Sequence, residues 1–238
     1  MVRDEVTVQN SHNENVHKIV SIVDPKVLCI PIEESSEELV ELNEQSLISF
    51  GPSPEVPNNL DYTKLRNSVY QKLVAAQKNL PEGLRLCLYE GYRSLDLQNK
   101  LFEDKYQLLK QEHSDWDHEQ LFHQAVKLVS PTINLDGSHN IPPHCTGAAV
   151  DVYLIDDDGK AVDMGIHPAD WMQDMDGSIS QTNSSKISDI ARQNREIMSS
   201  ALTKAGFVNY PTEYWHWSYG DRYWAYNVRA EKALYGII

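Results

Sequence analysis

Four side chains in two short stretches have the types and spacing of a hydrolytic metal site. "HCTGAAVD" carries His144 and Asp151, seven residues apart, and "EYWHW" carries Glu213 and His216. Zinc takes two imidazoles and a carboxylate as ligands at about 2.0–2.2 Å, and a catalytic zinc keeps its fourth position for water. The cation lowers the pKa of that water to about 7, and a carboxylate that is not itself a ligand can remove its proton. This chemistry makes His144, Asp151 and His216 the ligands of one Zn2+ per chain and Glu213 the general base. A third stretch, "EGYRS", places Arg93 at the exposed end of a strand-like run. A guanidinium there could stabilise the oxyanion that forms when water attacks a carbonyl.

Such convergence makes demands on the surrounding elements. Pro142 and Pro143 stiffen the approach to His144, and Gly147 allows a tight turn into the strand "AAVDVYLID". His144 in the loop and Asp151 on the strand can then aim at one point. Residues three apart on a regular strand face opposite sides. Glu213 and His216 therefore share a site only if a bulge intervenes or if Glu213 still lies in the loop after Pro211, and the second arrangement is favoured. Trp215 and Trp217 read as scaffold on the face opposite His216, fixing the strand and drying its surroundings.

The remaining elements follow from periodicity and punctuation. "KIVSIV" and "VLCIPI" read as short strands, and "FGPSPEVPNN" as a loop. A helix capped by Asn59 or Asp61 aligns Leu65, Val69, Leu73 and Ala76. "LRLCLYEGYR" alternates as a strand. Ser94 caps a second helix, Ser114 begins a third, and a fourth spans roughly 187–204. Helices interleaved with short strands predict an α+β fold, with a small, largely antiparallel sheet flanked by helices. Residues 1–50 are expected to form an N-terminal extension with short strands, and residues 51–238 the domain that carries the zinc site.

With these residues in view, the order "GYRS … HCTGAAVDVYL … EYWHW" resembles the zinc D-alanyl-D-alanine dipeptidases of the vancomycin-resistance type. These belong to the D,D-peptidases that share a fold with the hedgehog signalling domain. The resemblance runs from about Leu60 to Tyr219. It implies a hedgehog/D,D-peptidase-like fold and hydrolysis of the D-Ala-D-Ala dipeptide. It implies the same three zinc ligands, the same base, and Arg93 polarising the scissile carbonyl. It also implies that Asp170, in "DMGIHPADWM", holds the substrate's free ammonium. One departure is Pro142, which stands where the family has a serine two positions before its first histidine. The alternatives are a D,D-carboxypeptidase acting on peptidoglycan stem peptides and a non-catalytic zinc module of the same fold. Retention of both Glu213 and Arg93 speaks against the module.

Composition bounds the partners. The 238 residues are 41% hydrophobic, enough for a sizeable core, and the net charge of −14 argues against nucleic acid and anionic membrane surfaces. The expected partner is a small dipeptide. The glutamate-rich run "PIEESSEELVELNEQ" reads as a solvated helix face or loop. Cys29, Cys87 and Cys145 are scattered and odd in number, which suits a reducing compartment better than a disulfide framework. No signal-peptide pattern opens the chain, so a cytoplasmic location is expected, or a periplasmic one for a processed mature form.

Overall fold

A computed structural model describes residues 19–238. Lys18, the first residue of "KIVSIV", lies outside the described residues. The two strands expected near the N-terminus are not formed. Asp24 accepts a hydrogen bond from the Lys26 amide at 2.9 Å and starts one helical turn, α1 (Pro25–Leu28). Asp-Pro is a helix-start signal, and here it overrides the apolar run that follows. Ile32 makes a single bridge, to Ala233.

The next segment contributes two strands. β1 (Leu39–Glu41) pairs antiparallel with β3 (Lys64–Arg66), and β2 (Ser49–Phe50) joins the main sheet. The glutamates around β1 are more than a solvated face. Glu34 pairs with the buried Arg66, and Glu37 accepts from the Ser68 amide at 2.5 Å. Glu37 thus serves one of the unsatisfied amides at the start of α2 (Asn67–Gln77). The helix begins later than the Asn59 or Asp61 cap predicts. Asn59 instead accepts from the Asp61 amide just before a short 3₁₀ turn, and Leu65 is buried from β3 rather than from a helix.

Five strands make the main sheet. β2 lies parallel to β4 (Arg85–Glu90), which is followed by β5 (Ala149–Ile155), β7 (His216–Ser218) and β6 (Val208–Asn209), all antiparallel. The α+β class and the largely antiparallel sheet expected from sequence are both present. β5 is buried along its whole length. Its Val150, Val152 and Leu154 pack with Leu86, Leu88 and Trp217 against Val69 and Leu73 of α2 and Met198 and Leu202 of α5 (Asp189–Lys204). The alternate residues form the other face, where Tyr153 and Ile155 meet Cys87.

α3 (Leu95–Glu112) is capped by Ser94 as expected. α4 (His118–Ala125) starts three residues beyond the turn that Ser114 opens, because Asp117 and Gln120 form a reciprocal capping box. In α5 the cap is Ser188, and Ile190 in its first turn is exposed. "DRYWAYNV", not anticipated as a helix, forms α6 (Arg222–Val228) on an Asp221 cap. Among the described residues no helix is long and apolar enough to cross a membrane.

Candidate active site

Register builds the floor of the site. Glu90 of β4 lies opposite Asp151 of β5, and Asp151 lies opposite His216 of β7. Cross-strand neighbours share a face, so three polar side chains stand abreast on one side of the sheet. A bulge between Leu88 and Glu90 brings Glu90 into that row.

His144 comes from a 3₁₀ turn, Pro143–Thr146, just before β5. Gly147 ends the turn at φ 69°, and a Cβ there would lie 2.7 Å from Leu39 Cδ2. Both the backbone conformation and the space therefore call for glycine. Arg66 anchors the turn, its Nε donating to the Thr146 carbonyl at 2.9 Å. The His144 ring is oriented by Nδ1, which donates to the Gly91 carbonyl at 2.7 Å. That bond leaves Nε2 free to act as a lone-pair donor. At Gly91 a Cβ would sit 2.6 Å from Leu65 Cδ2, so the close approach of this carbonyl depends on glycine as well.

The three candidate ligand atoms then meet. His144 Nε2 is 3.2 Å from His216 Nδ1 and 3.3 Å from Asp151 Oδ1, and His216 Nδ1 is 3.1 Å from the same oxygen. Ligands held at 2.0–2.2 Å around a tetrahedral zinc sit roughly 3.3–3.6 Å apart. The set fits a cation of that size and has room for no second layer of atoms between its members. All three side chains are buried. Burial alone would raise the Asp151 carboxyl, but His144 and His216 outweigh it and hold the group far below the usual carboxylate range.

Glu213 lies in the turn between β6 and β7, as the loop-entry reading expects. Its amide donates to the Tyr210 carbonyl at 2.9 Å, and Asn209 Nδ2 ties the Glu213 and His216 carbonyls together at 3.0 Å each. Glu213 shares a cavity with His144, Asp151, His216 and Arg93. Burial pushes its pKa well above the ordinary value, and the Asp151 charge adds to that. Trp215 works the other way, donating Nε1–H to Glu213 Oε2 at 2.9 Å. Trp215 is therefore part of the site, whereas the sequence suggested scaffold alone. Trp217 is scaffold, buried in the main core.

Arg93 is buried beside this group. Its Nε donates to Glu90 Oε1 at 2.9 Å, its Nη2 pairs with Glu90 Oε2, and its Nη1 donates to Gln98 at 3.0 Å. A guanidinium has five donors, so two remain for the cavity. Its backbone amide donates to the His144 carbonyl at 3.2 Å.

The structure thus brings His144, Asp151, His216, Glu213 and Arg93 to one cavity. It does not bring Asp170 there. Asp170 sits in a 3₁₀ turn, bonds Gln173 at 2.8 Å, and lines a separate open groove with Asp174 and Tyr214. Its neighbour Trp171 reaches the cavity instead. Glu55, Glu90 and Tyr210 also line the cavity and were not singled out from sequence. Adjacency in "EGYRS" offered a signal for Glu90 alone. Cys145, adjacent to His144, is buried, and burial pushes its thiol up to about 12, which suits a packing residue rather than a nucleophile.

The chain matches the family model described as D-ala-D-ala dipeptidase over residues 63–232. A D-alanyl-D-alanine dipeptidase of Synechocystis sp. is 29% identical over 225 residues, covering 85% of this chain and 90% of the relative. Among solved structures, the LdcB LD-carboxypeptidase aligns with a TM-score of 0.39 at 19% identity, covering 84% of this chain and 74% of that one. A mutant of the vancomycin-resistance D,D-pentapeptidase VanY, in complex with Zn(II), aligns with a TM-score of 0.35 at 14% identity, covering 82% and 90%. The family match spans well over half of the sequence and contains every residue of the cavity's polar cluster except Glu55: the chain belongs to the D-ala-D-ala dipeptidase family of peptidases.

Proposed function

We propose that the protein hydrolyses the free dipeptide D-Ala-D-Ala, with one zinc held by His144, Asp151 and His216 and with Glu213 as general base. The observation that carries this reading is the mutual spacing of 3.1–3.3 Å among three buried ligand atoms with an unligated carboxyl in the same cavity. A bound zinc supplies a water of lowered pKa and a Lewis acid for the carbonyl oxygen. Glu213 takes the proton from the attacking water and returns it to the leaving amine. Its raised proton affinity suits that exchange, since a general base works best when its pKa lies near the working pH. Arg93 lines the cavity and keeps two N–H donors that Glu90 and Gln98 do not use, which would serve the negative charge developing on the carbonyl oxygen. Glu90 and Gln98 hold the guanidinium in place, so it does not have to reorganise during the reaction.

Zinc content and hydrolysis of D,D-, L,D- and L,L-dialanine, with and without chelator, test the reading. D,D-dialanine is expected to be cleaved, with loss of the activity on chelation. Glu213→Gln is expected to keep one zinc per chain and lose about 10²- to 10⁴-fold in kcat. Full activity in that variant, or in chelator, overturns the mechanism. A parallel assay on a pentapeptide stem separates a dipeptidase from a D,D-carboxypeptidase.

A further inference from the structure

Asp221 is a buried carboxylate that the mechanism does not use. Its Oδ1 takes two donors, Ser218 Oγ at 2.9 Å and the Trp224 amide at 2.7 Å, and the second of these caps α6. Its Oδ2 is buried and has no hydrogen-bond partner among the described residues. Asp221 makes no ion pair among them either. Arg222, next in the chain, turns its Nε to the Ile30 carbonyl at 2.9 Å. A buried carboxylate with one oxygen unserved and no cation paired to it is costly, and a positive charge nearby relieves that cost.

The surroundings of Asp221 point to where that charge belongs. Ser218 stands two residues after His216 on β7, and residues two apart share a face of a strand. The hydroxyl that holds Asp221 thus projects on the side of the sheet that carries Asp151 and His216. From another direction, Asp221 lines a small cavity with Pro143 and Thr146, the two ends of the turn that carries His144. Asp221 is thereby tied to the segments that carry both imidazoles. Burial raises its carboxyl above the usual range, while the Trp224 amide, Ser218 and the charges of His216 and His144 act the other way.

Resting on the zinc reading above, we infer that Asp221 is the outer counter-charge of the metal site, strengthening zinc binding through space without touching the ion. Two neutral imidazoles and one carboxylate leave a divalent ion with one positive charge uncompensated. In a buried site such a charge is felt more strongly than in water. An ionised Asp221 answers it, and the metal in turn removes the cost of the buried carboxylate. The other carboxyls near the site are otherwise engaged. Glu90 and Glu55 act on Arg93, and Glu213 moves the proton.

The test compares the wild type, Asp221→Asn and Asp221→Ser by zinc dissociation constant, measured in competition with a chelator, and by thermal melts with and without zinc. Both replacements keep an oxygen able to cap α6 and remove the charge. Each is expected to weaken zinc binding about 10- to 100-fold, the range typical for groups that support metal ligands from outside. Zinc-free Asp221→Asn is expected to melt at or above the wild type, and the rise in melting temperature on adding zinc is expected to shrink. A lost cap or a packing fault would lower both melts together and leave the dissociation constant unchanged. That pattern overturns the inference, as does a zinc affinity within about threefold of wild type in Asp221→Asn. If that variant fails to fold, Asp221→Ser carries the same comparison. If the wild type binds zinc but leaves dialanine intact, the hydrolytic reading fails, and the loss of affinity in the variants still supports this one. A wild type that binds no zinc overturns both.

Discussion

Glu213 is the residue whose environment makes the sharpest demands. A carboxyl buried beside Asp151 resists ionisation, so in the metal-free protein its pKa is higher folded than unfolded. The sign of the linkage follows. The folded state gains from the protonated group at low pH, and that gain is lost as pH rises through the folded pKa. Metal-free Glu213→Gln is therefore expected to melt at a higher temperature than the wild type above neutrality, with the difference shrinking toward acid pH. Thermal melts across pH check this, and a difference that grew toward acid would contradict it. Trp215→Phe removes the one hydrogen bond that lowers the Glu213 pKa. The acid limb of kcat/KM is expected to move to higher pH, with activity at the acid end down about tenfold and recovering on the alkaline side. The two stretches "HCTGAAVD" and "EYWHW" made the ligand set and the base visible as candidates because their polar residues interrupt apolar runs. Trp215 was hidden because an indole in such a run looks the same whether it packs or donates. Glu55 was hidden because it reaches the cavity from a loop some ninety residues before His144.

At the scale of elements, the site depends on glycines and caps more than on long secondary structure. Gly91→Ala and Gly147→Ala each introduce a methyl group into a space closed by Leu65 or Leu39. At Gly147 the left-handed backbone adds its own cost. Each is expected to lower stability by about 1–3 kcal/mol in denaturant unfolding and to weaken zinc retention, since Gly91 holds the His144 ring and Gly147 ends the turn that carries it. Asp117→Ala removes the α4 capping box, neither residue of which lines the cavity, and should cost about 1 kcal/mol while leaving kcat unchanged. The strands β4 and β5 and the helices α3 and α5 were legible from alternation, caps and 3.6-residue periodicity. Boundaries failed where a tertiary partner replaced a local one. Glu37 serves the start of α2 from thirty-one residues upstream, which no local pattern announces. The single-turn α1 and the short α6 were missed because each is too brief for periodicity to speak.

The whole molecule uses its first described segment as part of the core. Val27, Leu42 and Ile48 are almost fully buried, and Ile22 packs with Phe122, Val126, Tyr210 and Tyr223 while lining the cavity. Four aliphatic side chains at about 1.5–3 kcal/mol each amount to a large share of the 5–15 kcal/mol that stabilises a typical domain. A chain beginning at residue 51 is therefore expected to lose its cooperative thermal transition, which circular dichroism would reveal. The acidic balance, by contrast, bears on partners and not on the fold. One small arrangement links these scales. The peptide groups of Gly91 and Arg93 grip His144 from both ends, one at its imidazole and the other at its carbonyl. The proposed anion stabiliser and the proposed metal ligand are thus braced as one rigid unit. Withdrawing the metal should consequently loosen the Arg93 amide, so that deuterium enters there sooner after chelation, even though the guanidinium lies outside the proposed ligand set.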